Sequence, residues 1–327
     1  MIHRCRLAPV IAICITSLGF SYSMPAAEKR DFREPLASLP TASELNPDAV
    51  ALGNKLFEDP ILSGKRQFAC ASCHNLKTNG STAEKRPVTN NGTSHNFNTP
   101  TVFNVGNYYR FGWLGGARTL KSQSEAVILD PNIMNISWPI LLSRLTMDRR
   151  YRELFEKCFH RLPDREAVLN ALVVFQQSLT TPNSPFDRYL NGESTAISSQ
   201  ARYGYTLFRE YGCVACHQGA NIGGNMFQKF GIFSDVLPED PDNEGNLGRF
   251  MLTGLEKDRG VFRVPSLRNV AVTGPFFHDG RTESLADAVS LMAKSQLGKT
   301  LQDAERDAIV AFLESLTGEY NGKPLRR

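Results

Sequence analysis

The sequence contains two copies of a five-residue unit in which two cysteines enclose two other residues and a histidine follows directly. The copies occupy positions 70–74 and 213–217. Two thiols at this spacing can add to the vinyl groups of one haem, and the adjoining histidine then ligates the iron. The spacing therefore predicts two covalently bound c-type haems. Thioether bonds are expected at Cys70, Cys73, Cys213 and Cys216, and iron ligands at His74 and His217.

Two other cysteine chemistries fit this pattern less well. A thioredoxin-like redox pair is expected once, close to a strand–helix–strand pattern, and neither copy lies in such a setting. A four-cysteine zinc site would require both pairs to converge across more than a hundred residues, and it leaves the two histidines unexplained. Cys158, outside both units, is expected to be a half-buried thiol without a partner.

The segments around each unit repeat as well. Residues 53–57 (GNKLF) and 204–208 (GYTLF) each read as the end of an amphipathic helix, the second with a serine N-cap at 198–199. Residues 171–180 and 308–317 carry apolar side chains at helical spacing. Each module thus runs helix, haem motif, long loops and closing helix. This order predicts a mostly α fold with two cytochrome c-type domains, each built around one covalently bound haem.

Turn-forming residues and two prolines place the boundary between the modules within residues 181–195. The first domain is therefore predicted to span residues 26–182 and the second residues 183–327.

The haem of the first domain is expected to be the more reactive one, and the haem of the second domain is expected to transfer electrons.

Residues 1–25 predict a secretory signal peptide. Arg4 and Arg6 precede a short apolar run, and small residues then place the cleavage between positions 23 and 27. The run is shorter than the ~20 residues of a membrane-spanning helix, so an uncleaved anchor is the weaker alternative. We expect a soluble periplasmic protein without stable membrane insertion. The net charge of +4, without a basic block, gives no support to nucleic-acid binding.

The second axial ligand of each haem decides whether that haem transfers electrons or reacts with a substrate. In the second module Met292 has the best position, because small cytochromes place their methionine in the loop before the closing helix. Methionine opposite histidine raises the reduction potential. No residue of the first module is placed as well, so its iron is expected to be open or weakly ligated. The other candidates are Met226, Met251 and His278 in the second module, and His95, Met134, Met147 and His160 in the first.

The order of these motifs resembles the bacterial di-haem cytochrome c peroxidases and their relative MauG. The resemblance covers nearly the whole mature chain, and it is carried by KLFEDPILSGKRQFACASCHN, NTPTVFN, TTPNSPFDRYLNG, GCVACHQGANIGGN, FRVPSLRNVAVTGPFFHDG and SQLG. It implies that the first haem reacts with hydrogen peroxide and that the second, with histidine and methionine ligands, receives electrons. The expected donor is a small c-type cytochrome or a blue copper protein. A homodimer is possible on the same ground.

The resemblance also implies roles for individual residues. Trp113 corresponds to the tryptophan between the two haems, and Gln123 to a glutamine of the peroxide pocket. Met292 corresponds to the axial methionine and stands where MauG has a tyrosine. The side chain of Asn98 and the backbone carbonyls of Thr273 and Pro275 correspond to a calcium site between the haems, and oxygen ligands suit calcium.

Two positions depart from the pattern of the family. Its displaceable distal histidine falls on Asn90 and its catalytic glutamate on Ile133, and isoleucine cannot transfer the proton that peroxide cleavage requires. Glu125 or Asp130 could replace the glutamate only with a rearranged loop, and His95 could relay a proton instead. The sequence therefore favours a cytochrome c peroxidase, an oxidoreductase of uncertain efficiency. A MauG-like oxidase of a protein or organic substrate and a purely electron-transfer di-haem cytochrome stay open as alternatives.

Overall fold

The computed structural model describes residues 34–40, 44–237 and 243–327, so the predicted signal peptide lies outside the described residues. Within those ranges no helix has the length and apolar character needed to cross a membrane. Helices predominate and strands are short, which confirms the predicted mostly α fold. The helices are α1 (Pro47–Glu58), α2 (Cys70–Cys73), α3 (Leu120–Leu129), α4 (Trp138–Met147), α5 (Arg149–Phe159), α6 (Arg165–Ser178), α7 (Pro185–Leu190), α8 (Ser199–Glu210), α9 (Phe250–Thr253), α10 (Leu285–Leu297) and α11 (Asp303–Glu314).

Four short strands form two antiparallel pairs. The strands β1 (Phe227–Lys229) and β2 (Val261–Arg263) pair within the second half of the chain. The strands β3 (Glu319–Tyr320) and β4 (Lys323–Pro324) form a hairpin near the C-terminus. Long segments without regular structure connect the helices, as expected where a cofactor occupies the middle of each core.

Each half of the chain is organised around one pair of crossing helices, α1 with α6 and α8 with α11. A glycine allows the close approach in each pair. A Cβ atom on Gly53 would lie 2.1 Å from the carbonyl oxygen of Ala171, and one on Gly204 would lie 1.8 Å from that of Ala308. These are the repeated segments of the sequence, and the two crossings define the first lobe and the second lobe of the structure.

The helix ends follow ordinary capping rules. Asn46 precedes α1, and its side-chain oxygen accepts hydrogen bonds from the backbone of Asp48 and Ala49. Ser198 caps α8 by accepting from the backbone N–H of Ala201, as predicted for one of the two serines at this point. These caps fix where each crossing helix begins and hence which residues meet at the crossing.

The two ends of the described chain pack on the opposite lobes. Leu36 is buried in the core of the second lobe, and its segment pairs with Gly219. In the other direction, Leu325 is buried in the core of the first lobe, and the ring of Tyr320 lies 4.9 Å from that of Phe103. The division of the chain between residues 182 and 183 stays a prediction.

Replacing Gly204 by alanine tests the helix crossing of the second lobe. The added methyl group would meet the backbone of α11, which cannot move aside as a flexible side chain would. We expect a loss of about 1–3 kcal/mol or more in the free energy of unfolding, measured by guanidinium titration. The control is Gly106→Ala, where the new Cβ would lie at an ordinary 3.5 Å from its nearest neighbour. Equal stability of both variants would contradict the crossing.

Candidate functional site

In the first lobe one helical turn presents both cysteines and the histidine to the same side. The turn is α2, and the backbone N–H of His74 bonds the carbonyl of Cys70 at 2.9 Å. The ring Nδ1 atom of His74 lies 3.1 Å from the carbonyl oxygen of Gly80. Because a carbonyl oxygen only accepts, Nδ1 carries the proton and Nε2 is left to bind a metal.

The second motif has a similar backbone turn, but Nδ1 of its histidine is held less tightly. A 3-10 turn begins at Cys213, and the backbone N–H of His217 bonds the Cys213 carbonyl at 3.0 Å. Its Nδ1 atom is buried without a hydrogen bond of normal geometry, although the carbonyls of Ile222 and Pro265 lie close enough to favour its protonated form. Burial lowers the pKa of His217 to about 4, and it also lowers the pKa of His74. Both rings are therefore neutral at pH 7, the form that ligates iron.

The residues of both motifs fit a covalently bound haem. None of the four motif cysteines is in a disulfide bond, and all four are partly buried. A phenylalanine of the preceding helix lies beside each histidine, with ring centroids 6.3 Å apart for Phe57 and His74 and 6.4 Å apart for Phe208 and His217. Two cysteines at the same spacing, a neutral imidazole and a neighbouring aromatic ring thus recur in the two lobes.

The repetition extends into the loops that follow the motifs. Asn104 and Asn269 both adopt left-handed backbone, with φ of 61° and 62°, and both start a 3-10 turn. The same number of residues further on, Thr119 caps α3 and Ser284 caps α10. The two lobes can therefore be compared position by position from Asn104 and Asn269 onwards.

This comparison makes Val127 in α3 the counterpart of Met292 in α10. The prediction that Met292 lies in the loop before the closing helix is wrong, because α10 continues to Leu297 and only residues 298–302 precede α11. Met292 is partly buried within that helix. Its role as an iron ligand stays a prediction, and the first lobe has an aliphatic side chain at the equivalent position.

Two equivalent backbone hydrogen bonds join the lobes. The N–H of Asn98 donates to the carbonyl of His278 at 2.6 Å, and the N–H of Arg263 donates to the carbonyl of Trp113 at 2.8 Å. The rings of Trp113 and His278 meet edge to face, with centroids 6.4 Å apart. Trp113 also donates from Nε1 to the Asn98 carbonyl at 2.9 Å. The structure therefore places Trp113 at the contact between the lobes.

His278 has partners that occupy its ring. It is 2% exposed, its Nε2 atom lies 2.8 Å from Oδ1 of Asn246, and Phe262 stacks on it with centroids 4.2 Å apart. Burial lowers the pKa of His278 to about 4, so it is neutral at pH 7. These contacts make it part of the lobe junction, and they argue against its candidacy as an iron ligand.

The residues proposed for a calcium site lie at the same junction. The Nδ2 atom of Asn98 donates to the carbonyls of Glu84 and Lys85, both at 3.1 Å. Its backbone N–H and C=O are also bonded, so Oδ1 is the atom left for a cation. Thr273 and Pro275 precede His278, to which Asn98 is bonded. Among the described residues, no group of three His, Cys, Asp or Glu side chains could hold a metal.

The structure brings the two departing positions of the first lobe together. Residues 88–94 form a tight hairpin, and the N–H of Asn90 bonds the carbonyl of Asn132 at 2.8 Å. The side chain of Asn91 bonds that of Asn132 at 3.1 Å. Asn90 therefore lies beside Ile133, and both are partly buried.

The two nearby acids have structural partners. Oε1 of Glu125 accepts from Nε of Arg165 at 2.6 Å and from Nε1 of Trp138 at 2.9 Å. The hydrogen bond from Arg165 holds the pKa of Glu125 below its usual range. Asp130 instead accepts from the backbone of Asn132 at 2.8 Å and closes the turn after α3. In this arrangement neither acid is available to replace the missing glutamate.

The remaining polar candidates differ in their surroundings. His95 is partly buried, and its Nδ1 lies 3.1 Å from both the backbone nitrogen and the carbonyl oxygen of Phe97, so each tautomer of the ring has a partner there. The Oε1 atom of Gln123 would lie 3.8 Å from a Cβ on Gly112, next to Trp113 in the chain. Met134 lies in the interior, whereas Met147 is 79% exposed and His160 is exposed at a helix end.

One cluster in the junction was not foreseen from the sequence. The Oγ1 atom of Thr181 accepts from the side-chain amides of Asn104 at 2.8 Å and Asn269 at 3.0 Å. Asn269 in turn accepts from the N–H of Gly318 at 2.9 Å. The signal for it was the shared dipeptide Asn-Val in FNVGN and RNVAV, which marks the two left-handed turns.

Two cytochrome c-type lobes, each with one haem motif and joined through a tryptophan, define a class of di-haem cytochromes, and comparison with known proteins agrees. The family model described as di-haem cytochrome c peroxidase matches residues 47–195, and the cytochrome c model matches residues 201–317. Cytochrome c551 peroxidase of Nitrosomonas europaea is 35% identical over 322 residues, covering 98% of this chain and 93% of that protein.

More distant similarities point the same way. Methylamine utilization protein MauG of Methylorubrum extorquens is 32% identical over 308 residues, covering 90% of this chain and 85% of that protein. A crystal structure of a MauG-like protein associated with microbial copper homeostasis shares the fold, with a TM-score of 0.76 at 22% identity over 92% of this chain and 96% of that one. The chain belongs to the family of di-haem cytochrome c peroxidases and MauG proteins, and this makes it a cytochrome c peroxidase-like oxidoreductase with two c-type haems.

Glu125→Gln tests whether this acid is structural. At pH 7 we expect a loss of about 1 kcal/mol of stability, because a charged hydrogen bond to Arg165 is removed. The pKa of Glu125 is lowered by folding, so its contribution is present above the ordinary glutamate pKa of about 4.3 and is lost as the pH falls below it. Urea titrations at pH 7 and pH 3.5 measure the difference.

The control for this comparison is Glu153→Gln, which removes an exposed pair with Arg149. It should change stability by less than about 0.5 kcal/mol at either pH. A Glu125→Gln variant that keeps its stability but loses catalytic activity would contradict the structural role.

Proposed function

We propose that this chain is a periplasmic di-haem cytochrome c peroxidase that reduces hydrogen peroxide to water with electrons from a small c-type cytochrome or a blue copper protein. One peroxide takes up two electrons and two protons and gives two waters. Two bound haems would supply the iron redox chemistry, one for accepting electrons and the other for the reaction with peroxide. The single observation that carries the proposal is the pairing of two haem motifs, in a family of peroxidases, across a junction that contains Trp113.

The difference between the lobes supports a division of labour. At the position of Met292 the first lobe has Val127, whose side chain cannot ligate iron. A methionine ligand in the second lobe would favour electron transfer and a high potential. A first haem without a methionine ligand would be able to bind a small molecule such as peroxide. His74 and His217 would hold the two irons, and the contact of His74 Nδ1 with the Gly80 carbonyl leaves Nε2 for this role.

Electrons would cross at the junction of the lobes. Trp113 is held from both sides, by its Nε1 bond to Asn98 and by its carbonyl bond to Arg263. Because the ring is held in this way, it moves little when an electron passes, and the reorganisation energy is small. Oδ1 of Asn98 and the carbonyls of Thr273 and Pro275 would bind a calcium ion at the same junction. The bound ion would make the junction more rigid.

Proton supply is the weak point of the first site. Asn90 and Ile133 have no titratable group, and Glu125 is paired with Arg165. His95 and Gln123 are the polar groups that remain, and the amide of Gln123 can only orient a ligand. Loss of a general acid–base group typically lowers the rate by about 10²–10⁴. This observation favours, as a second candidate, a MauG-like oxidase acting on a protein or organic substrate. A di-haem cytochrome that only transfers electrons is the third.

Steady-state peroxide turnover with a reduced small cytochrome tests the proposal, with Met292→Val beside the wild type. The wild type should oxidise two donor molecules for each peroxide consumed. Met292→Val should retain both haems but lower the second haem potential by roughly 0.1–0.4 V, within the ~0.8 V that axial ligands span. Met251→Val, a partly buried methionine of α9, is the control. Absence of turnover with an unreactive, low-spin first haem would favour electron transfer alone.

Restoring the acid gives a test of the first site. We expect Ile133→Glu to raise kcat/KM for peroxide by about 10²-fold, because a carboxyl group next to Asn90 can carry the proton between the peroxide oxygens. Ile133→Gln is the matched control, since it has the same shape without a titratable group. An equal rise in both variants would show that polarity, and not proton transfer, limits the reaction.

A further inference from the structure

Arg263 is a buried cation at the lobe junction, at the end of β2. Its side chain is 3% exposed. Nε donates to the carbonyl of Gly112 at 3.0 Å, and the guanidinium lies 4.4 Å from the ring centroid of Tyr108. The side chain of a second-lobe residue is thereby held by two residues of the first lobe.

The NH1 group of Arg263 is buried and has no hydrogen-bond partner in the part of the chain that the structure describes. No carboxylate of the described residues forms an ion pair with this arginine. Arg268, which is equally buried, shows what is missing. Its guanidinium pairs with Asp187 at 2.8 Å and donates to the carbonyls of Ala220 and Ala37, both at 2.8 Å.

A buried guanidinium without an anion is strongly unfavourable, because the bond to Gly112 and the ring of Tyr108 replace only part of the hydration that burial removes. The backbone of Gly224 and the ring of Tyr108 border the space beside NH1. A Cβ on Gly224 would lie 3.5 Å from NH1, and one on the neighbouring Gly223 would lie 3.2 Å from Nδ1 of His217. Arg263 therefore borders the loop behind the iron-binding histidine of the second lobe.

We propose that Arg263 binds a carboxylate of the second haem and thereby sets the reduction potential of that haem. Each haem brings two carboxylates, while the described chain supplies none at this point. A planar guanidinium suits a carboxylate because its N–H groups form a fork. The Nε bond to Gly112, beside Trp113, ties this charge pair to the contact through which the lobes meet.

The pairing has a defined electrostatic consequence. A carboxylate near the iron stabilises the oxidised haem, and Arg263 cancels that charge. Removing the arginine should therefore lower the potential of the second haem. It should also raise the pKa of the freed carboxylate by about 1–3 units, since the opposite charge is gone. The potential then becomes dependent on pH, because the carboxylate takes up a proton on reduction.

Spectroelectrochemical titration of the haem-loaded protein at pH 6, 7 and 8 tests this proposal. At a fixed potential and pH 7, Arg263→Gln should raise the ratio of oxidised to reduced second haem on the order of tenfold. The slope of potential against pH should be steeper than in the wild type. Arg263→Lys keeps the charge and should change the ratio less than Arg263→Gln does.

Arg259→Gln is the matched control, since Arg259 lies on the same stretch of chain but is exposed and pairs with Glu256. It should leave both potentials as in the wild type. Unchanged potentials in Arg263→Gln, or a shift confined to the first haem, would overturn the proposal. These readouts do not depend on peroxide turnover, so they stand apart from the proposed function.

A structure of the haem-loaded wild type covers the case in which Arg263→Gln does not fold. It should show NH1 within about 3.2 Å of a haem carboxylate oxygen of the second lobe. A protein carboxylate or a free anion at that position would overturn the assignment.

Discussion

The backbone hydrogen bonds between Asn98 and His278 and between Arg263 and Trp113 are the constraint on which the rest of the structure depends. Each lobe donates one N–H to the other at an equivalent point of its own repeat. Because backbone groups buried at a contact must be paired, this exchange fixes how the two repeats face each other. The contact between Trp113 and His278 and the placement of Asn98 beside the segment 273–278 follow from it. The backbone of the junction is thus the same in both repeats, and the two lobes differ in the side chains that they place there.

Those differences show how one repeated backbone arrangement carries two unlike sites. Val127 and Met292 occupy equivalent positions, and so do Asn98 and Arg263 on the two sides of the junction. In the first pair only the second lobe has a side chain that can ligate iron, and in the second pair an amide in the first lobe corresponds to a fixed positive charge in the second. Asymmetry therefore requires only a few substitutions on a shared backbone.

The sequence was sufficient to predict the haem motifs, the helices that cross in each lobe and the serine cap at Ser198, because these depend on local spacing. The position of Met292 was predicted less well, since helix length is decided by packing beyond the motif. The partners of Glu125 could not be read from the chain, because Arg165 and Trp138 approach from other helices. The burial of NH1 of Arg263 likewise depends on tertiary contacts, and no local sequence pattern predicts it. Local sequence motifs predicted the cofactors. Tertiary contacts decide which side chains remain available for ligation or catalysis.

The crossing of the chain ends has a consequence for the order of assembly. Leu36 completes the core of the second lobe, and Leu325 completes the core of the first. The first lobe therefore lacks part of its interior until the segment that contains Leu325 has been synthesised and has folded back onto it. If a protease cut the segment between the lobes, the two fragments would still be held together by Leu36 in the core of the second lobe and Leu325 in the core of the first.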